Sequence, residues 1–336
     1  MKTLARRDVA ALLGRAQDLR ILVIGDVMLD QFIWGRVTRI SPEAPVPVVE
    51  FLRESQMAGG AANVARNLSA LGARVELFGA TGRDPAGRQL LELLAADRVD
   101  CRHWLTLAKR TTTCKTRIIA HQQQIARVDR ETPGDLDPSA TERLIQGVRR
   151  RLPGAAAVIV GDYGKGVVTQ SLLDELKALC RQQGAWLSLD PKPLRQLDLR
   201  GLSLITPNRK ETFELAGLHD GRLSVGPLAD PDLTEAVSRL MQGLAPAVLL
   251  VTLGDQGMLL CRRGQPHYHI PTAAQEVFDV SGAGDTVIAS FTLAIAAGAS
   301  PGDAAVFSNH AAGVVVGKIG TATVAPDELL ASFRSP

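Results

Sequence analysis

The chain has 336 residues, 46% hydrophobic and 22% charged, a size and balance suited to one large α/β domain with a small addition and a sizeable core. Its formal net charge is +3, from 38 basic and 35 acidic residues mixed along the chain, and aromatics make up 4%, so a nucleic-acid partner is not expected. Cys101, Cys114, Cys180 and Cys261 are isolated, without zinc spacing, which fits reduced cytosol and a cytoplasmic location.

The N-terminal stretch MKTLARRDVAALLGRAQ lacks the apolar core and cleavage site of a signal peptide and is expected to form an amphipathic helix. Apolar runs and helix-period segments then alternate: RILVIGD before GGAANVARNLSALG, AAVIVGD before SLLDELKALCRQQG, then AWLSLD, LSLITP before NRKETFELAG, and AVLLVTLG. Short buried strands alternating with amphipathic helices predict a mostly parallel sheet covered by helices on both faces. Two segments break the rhythm, QFIWGRVTRISPEAPVPVVEFL and TTTCKTRIIAHQQQIARVDRE, which read as extended and polar and predict a small separate β lid. Arg149, Arg150 and Arg151 close an amphipathic segment, where cations oppose the helix dipole. LHDGRLSVGPLADPD has the composition of a surface loop. The longest apolar run, Thr286 to Ala299, is too short to span a bilayer, so no membrane partner is expected.

Ligands of such sheets bind beyond the carboxyl ends of the strands. Near the C-terminus, Gly282, Ala283 and Gly284 precede a helix, and a small-residue turn there presents free N–H groups to an anion. Asp285 closes the turn; it is equally suited to accept a proton from a bound hydroxyl or to cap the helix. Gly59 and Gly60 before Asn63 fit either a ligand or close helix packing. NRKE, Asn208 to Glu211, offers a carboxylate to magnesium or simply starts a helix, and VTLGDQG is a phosphate-side loop or a plain turn.

Taken together these motifs are recognisable. DVSGAGD resembles the D-T-x-G-A-G-D signature of the ribokinase-like, or PfkB, family of sugar kinases, with Val280 where the family has Thr. Gly59, Gly60 and Asn63 are similar to its segment of paired glycines followed by an asparagine, NRKE to its N-x-x-E motif, and VTLGDQG to its nucleotide-side loop, so the resemblance runs from Asp26 to about Thr323. It implies a ribokinase-like α/β fold, a single kinase domain over 1–336 and a lid from about 31–52 and 111–131. By the same resemblance Asp285 is the base beside the Gly282–Ala283–Gly284 anion turn, and Asn208, Arg209, Lys210, Glu211, Thr252, Gly254 and Gly257 serve ATP, with Glu211 organising Mg2+. GKIGTATV lies where the family lines its adenine pocket and in some members binds a monovalent cation such as K+. A homodimer through the lid is also implied.

Within the family, IGDVMLDQFIWGRVTRISPEAPVPVV, GDYGKGVVT, DPK and QEVFDVSGAGDTV resemble the branch that phosphorylates D-glycero-β-D-manno-heptose 7-phosphate at C1, on the route to ADP-heptose and lipopolysaccharide. Many relatives there carry a second, nucleotidyltransferase domain, so a chain ending at Pro336 has the look of the stand-alone kinase form. Asp30, Gly59, Gly60, Asn63 and Asp190 are then expected at the sugar. The sugar's own phosphate needs cations, for which Lys192, Lys165, Arg117 and Arg127 are candidates, Lys192 first because it follows a strand end. A kinase for another sugar, or a non-catalytic binding protein on the same fold, remains open; loss of the terminal carboxylate would mark the latter, and Asp285 is present.

Overall fold

The computed structural model describes residues 4–121, 123–221 and 226–333. Helix α1 (Arg6–Ala16) leads into β1 (Arg20–Gly25), β2 (Val27–Ile40) and β3 (Pro47–Gly60). Then follow α2 (Ala61–Ala70), β4 (Arg74–Phe78), β5 (Ala80–Gly82), α3 (Pro85–Ala96), β6 (Leu105–Leu107), β7 (Cys114–Ala120), β8 (Gln123–Arg130) and α4 (Pro138–Arg151). The second half contributes β9 (Ala157–Gly161), α5 (Gln170–Gln183), β10 (Trp186–Asp190), β11 (Leu204–Ile205), α6 (Arg209–Ala216), α7 (Pro231–Gly243) and β12 (Val248–Thr252). It ends with β13 (Met258–Arg262), β14 (Tyr268–Ile270), α8 (Ala283–Ala296), α9 (Pro301–Val315) and α10 (Pro326–Ser332).

The central sheet has the order β14-β13-β12-β11-β10-β9-β1-β4, parallel from β12 to β4 and antiparallel at the β13 and β14 edge. Its inner strands are apolar on both faces, as a parallel sheet sandwiched between helices requires. Alternate residues of β1 show this: Ile21 and Val23 pack with α1, α2, α8 and α9, whereas Leu22 and Ile24 pack with α4, α5 and α7. The two helix layers thus bury separate cores on either side of one sheet.

A second sheet, ordered β3-β2-β7-β8, stands apart and contains most of the two segments that broke the sequence rhythm. Its strands reach further than their composition suggested. β2 starts at Val27, a single residue beyond β1, so Asp30 lies within the second sheet rather than in a loop after the first strand. The intervening Asp26 turns the chain: its N–H donates to Gly161 O and its carbonyl accepts from Ala61 N. Gly59 and Gly60 likewise end β3, and the helix expected over them begins at Ala61. Residues 222–225 of the expected surface loop lie outside the described residues. Arg149 and Arg151 at the end of α4 pair with Glu175 and Glu76. Among the described residues no helix is long and apolar enough to cross a membrane.

Candidate active site

Asp285 lies in the first turn of α8, yet it does not cap the helix. The N-cap is Gly282, at φ +78°, and a side chain there would bring Cβ within 2.6 Å of Asn63 Nδ2. The carboxylate instead points away from its own backbone: Oδ2 accepts from Asn63 Nδ2 at 2.8 Å, and Oδ1 accepts from the Tyr163 hydroxyl. With 8% of its surface exposed, the group is desolvated, and burial pushes its pKa up to about 6 against the opposing effect of those two hydrogen bonds. Above that pH it is an ionised acceptor, and near it a group able to take and return a proton.

The turn in front of it is open. A Cβ built on Gly284 would meet no heavy atom within 4 Å, although the N–H groups at the second and third helical positions have no carbonyl inside the helix to bond. Ala283 N already donates to Val280 O, so Gly284 and Asp285 are the stronger anion donors of this turn. Asp279, at the start of the motif, holds the turn to the C-terminal segment by accepting from Ser281 N and Gly320 N, both at 2.9 Å. Val277, Phe278, Val280 and Ile319 are exposed beside it and form an apolar rim.

On the other side of Asp285, residues after three neighbouring strands converge. Beyond β9, the loop of Tyr163, Lys165 and Val167 is fixed by the fully buried Asp26, whose carboxylate accepts their three N–H groups at 2.8–2.9 Å. Lys165 itself reaches Glu131 at 2.6 Å. Beyond β10, Lys192 Nζ lies 2.6 Å from Glu211 Oε1, 3.7 Å from Asp190 and 5.7 Å from the centre of the Tyr163 ring. Burial alone would lower the pKa of Lys192, but Asp190 and Glu211 outweigh it and raise the value. Asp190 is pushed up, mainly by burial, with Lys192 opposing. Beyond β11, Asn208 and Glu211 form a reciprocal capping box on α6, Asn208 Oδ1 accepting from Glu211 N and Glu211 Oε2 from Asn208 N, both at 2.9 Å.

The second sheet closes the far wall. Arg117 Nη1 donates to Asp30 Oδ1 at 2.5 Å, and a Cβ on Gly59 would fall 2.0 Å from Asp30 Oδ2, so only glycine lets β3 pass this carboxylate. Lys115 is opposite Asp30 in the β2–β7 register and has no ion pair among the described residues. Burial lowers its pKa. Sequence reasoning missed both Lys115 and Tyr163; the signal was available for Tyr163, one of two tyrosines in the chain and two residues past a strand end.

Other expected residues are not brought to this centre. Arg209 is held by Asp220 and Asp230, Lys210 is 83% exposed and pairs with Glu214, and Arg127 pairs with Asp129 on an outer strand. Gly257, at φ +83°, is required by the hairpin itself, because a Cβ would lie 2.1 Å from Ile270 O. Thr252 and Gly254 flank the start of the same turn, Thr252 bridging to Asn208. Among the described residues no group of three or more His, Cys, Asp or Glu could hold a metal. Each Glu211 oxygen carries one donor, from Lys192 or from Asn208 N, and keeps a further lone pair, a donor set that fits magnesium kept mainly by waters and phosphate oxygens.

Against known proteins, residues 18–328 match the model of the pfkB family carbohydrate kinases. The curated "Bifunctional protein HldE" of Desulfatibacillum aliphaticivorans is 42% identical over 94% of this chain, which spans 63% of that relative's length. Among solved structures, ribokinase of Arabidopsis thaliana complexed with ribose and ATP is similar with a TM-score of 0.74 at 18% identity, over 95% of this chain and 99% of that one. Phosphofructokinase-2 of Escherichia coli in complex with potassium gives a TM-score of 0.74 at 22% identity, over 94% and 97% of the two chains. The architecture is therefore ribokinase-like.

Proposed function

Because the chain belongs to the pfkB family of carbohydrate kinases, we propose that it transfers the γ-phosphoryl group of ATP to the C1 hydroxyl of D-glycero-β-D-manno-heptose 7-phosphate. The product is the 1,7-bisphosphate, on the route to ADP-heptose and lipopolysaccharide. The observation that carries the chemistry is Asp285: buried, turned away from the capping position, and set beside an open anion turn. The sugar assignment rests on the heptose-kinase-like segments around Asp30, Tyr163 and Lys192, and the similarity to HldE supports it.

In this reading Asp285 accepts the C1 hydroxyl proton as that oxygen attacks, and the N–H groups of Gly284 and Asp285 meet charge on the transferring group. Lys192 serves the transferring phosphoryl group rather than the distal phosphate, because its ammonium lies with Glu211 and Asp190. Arg117, Lys115 and Lys165 take the 7-phosphate, and Asp30 orients sugar hydroxyls. Glu211 would hold magnesium through its waters, and the ion would supply charge neutralisation at the phosphates. The exposed apolar side chains of Val277, Phe278, Val280 and Ile319, the last within GKIGTATV, would offer the adenine a surface, and potassium dependence is worth assaying there. The second sheet closes over the sugar to exclude water, and its outer strands form a homodimer in the cytoplasm.

The deciding experiment is an ATP-consumption screen over phosphorylated and free sugars, with the product identified by mass. Heptose 7-phosphate should exceed phosphate-free heptose by about 30- to 1,000-fold in kcat/KM, because cations left unpaired cost several kcal/mol. Equal use of both sugars would reject the 7-phosphate reading.

A further inference from the structure

Tyr163 enters the centre from the loop after β9, and its phenol lies against the carboxylate that does the chemistry. The ring fits because two neighbours are glycines. A Cβ on Gly161 would stand 3.1 Å from Tyr163 Cε2, and one on Gly60 3.3 Å from Cδ2. Its backbone N–H donates to Asp26 Oδ2 at 2.9 Å, so the side chain is delivered by a loop that a buried carboxylate fixes. The hydroxyl donates to Asp285 Oδ1, while Asn63 holds Oδ2. Both oxygens of Asp285 therefore carry one fixed donor each, and each keeps room for a further hydrogen bond.

We infer that Tyr163 is a positioning residue whose hydroxyl holds Asp285 in its ionised form and aims its remaining lone pairs at the acceptor hydroxyl of the substrate. This deepens the kinase reading, since it concerns the same carboxylate. Asn63 alone would leave the carboxylate free to swing about one hydrogen bond; two donors from different elements, α2 and the loop after β9, fix its plane. The surrounding charges make the second donor necessary. Asp30, Asp190 and Asp26 face the same small volume, and Glu211 stands behind Lys192; Lys192 opposes Asp190 and Asp285, Arg117 pairs with Asp30, and Arg110 faces Asp26. Burial, followed by the nearby carboxylates, holds the phenol pKa well above its ordinary value, so Tyr163 stays a donor throughout the working range.

The test needs no substrate in its first arm. A carboxylate whose folded pKa lies above its unfolded value loses stability as pH rises from the lower value through the higher one. Replacing Tyr163 by Phe removes a donor that favours the ionised form, so the folded pKa of Asp285 climbs further, by on the order of one unit. Thermal unfolding of Tyr163→Phe should therefore show a larger drop in Tm relative to the parent at pH 8 than at pH 5. In an Asp285→Asn background the same Tyr163→Phe change should cost equally at both pH values. The second arm takes whichever sugar the parent turns over: the acidic limb of kcat/KM should move up by about one unit, with activity partly recovered at pH 8.5. A Tm penalty independent of pH in the Asp285 background, or an unmoved limb, would overturn the role. Failure of the sugar assignment alone would leave the first arm intact.

Discussion

Strand β9 has all five of its residues buried, whereas β8 exposes all eight. The same contrast holds for their charges. At the rim of the central sheet Asp26, Asp190 and Asp285 are almost wholly desolvated, and each is met by specific N–H, hydroxyl or ammonium donors. On the second sheet the Arg127–Asp129 pair is half in water and Arg117 is partly exposed. Burial raises the pKa of Asp190 and Asp285, and charges in such a low-dielectric rim exert strong fields, so the proposed bond making is assigned to the first rim. Arg127 is screened on the outer strand, whereas Lys115 and Arg117 are partly buried where the sheet meets the domain, an arrangement suited to selection of a charged substrate.

Asp285→Asn should break this contrast most sharply. It preserves shape but removes the proton acceptor, at a cost on the order of 100- to 10,000-fold in turnover. Turnover within about threefold of the parent would take the chemistry away from the central rim. Gly284→Val comes next. Its Cβ enters open space, so circular dichroism and Tm should change little, while kcat drops on the order of 100-fold because the phosphoryl-side N–H groups are screened. A folded variant with normal turnover would reduce the turn to a helix entry.

A paired measurement sharpens the division. Lys192→Ala should lower kcat by about tenfold or more, equally on phosphorylated and phosphate-free sugar. Arg117→Ala unpairs Asp30 and so should slow both sugars, but kcat/KM should fall about tenfold further on the phosphorylated sugar than on the other, a coupling to the substrate phosphate. The reverse pattern would exchange their roles. The smallest effect is expected for Arg127→Ala, whose exposed pair stabilises little: Tm and kcat/KM should both stay near the parent.

Much of the central sheet was legible because its strands are continuous apolar runs followed by helix-period segments, and residues just past strand ends, such as Lys192 and Glu211, do gather at one rim. The second sheet was legible only as extended chain. Nothing local to Asp30 reveals that β2 carries it beyond the first sheet, since that depends on the single-residue turn at Asp26 and its bonds to Gly161 and Ala61, distant in sequence. Pairings were hidden for the same reason. Lys192 follows a strand end as a phosphate ligand should, but its partner Glu211 arrives from α6; Tyr163 meets Asp285 across 122 positions. Side-chain pattern fixes which elements form, whereas their packing decides which charges are neutralised.

The central claim is that a buried, ionised Asp285 takes the proton. Burial holds the Asp285 pKa at about 6, above the ordinary 3.8, so on this account activity should require loss of a proton near pH 6. The measurement is kcat/KM against pH for the parent and for Asp285→Asn, with the same sugar. The parent should gain about tenfold per unit up to pH 6 and then level off. Substrate phosphates titrate in the same range, so the mutant is the control: its residual rate should lose the Asp285 limb and keep only the shallower phosphate dependence. An Asp285→Asn profile with the parent's limb unchanged would contradict the account.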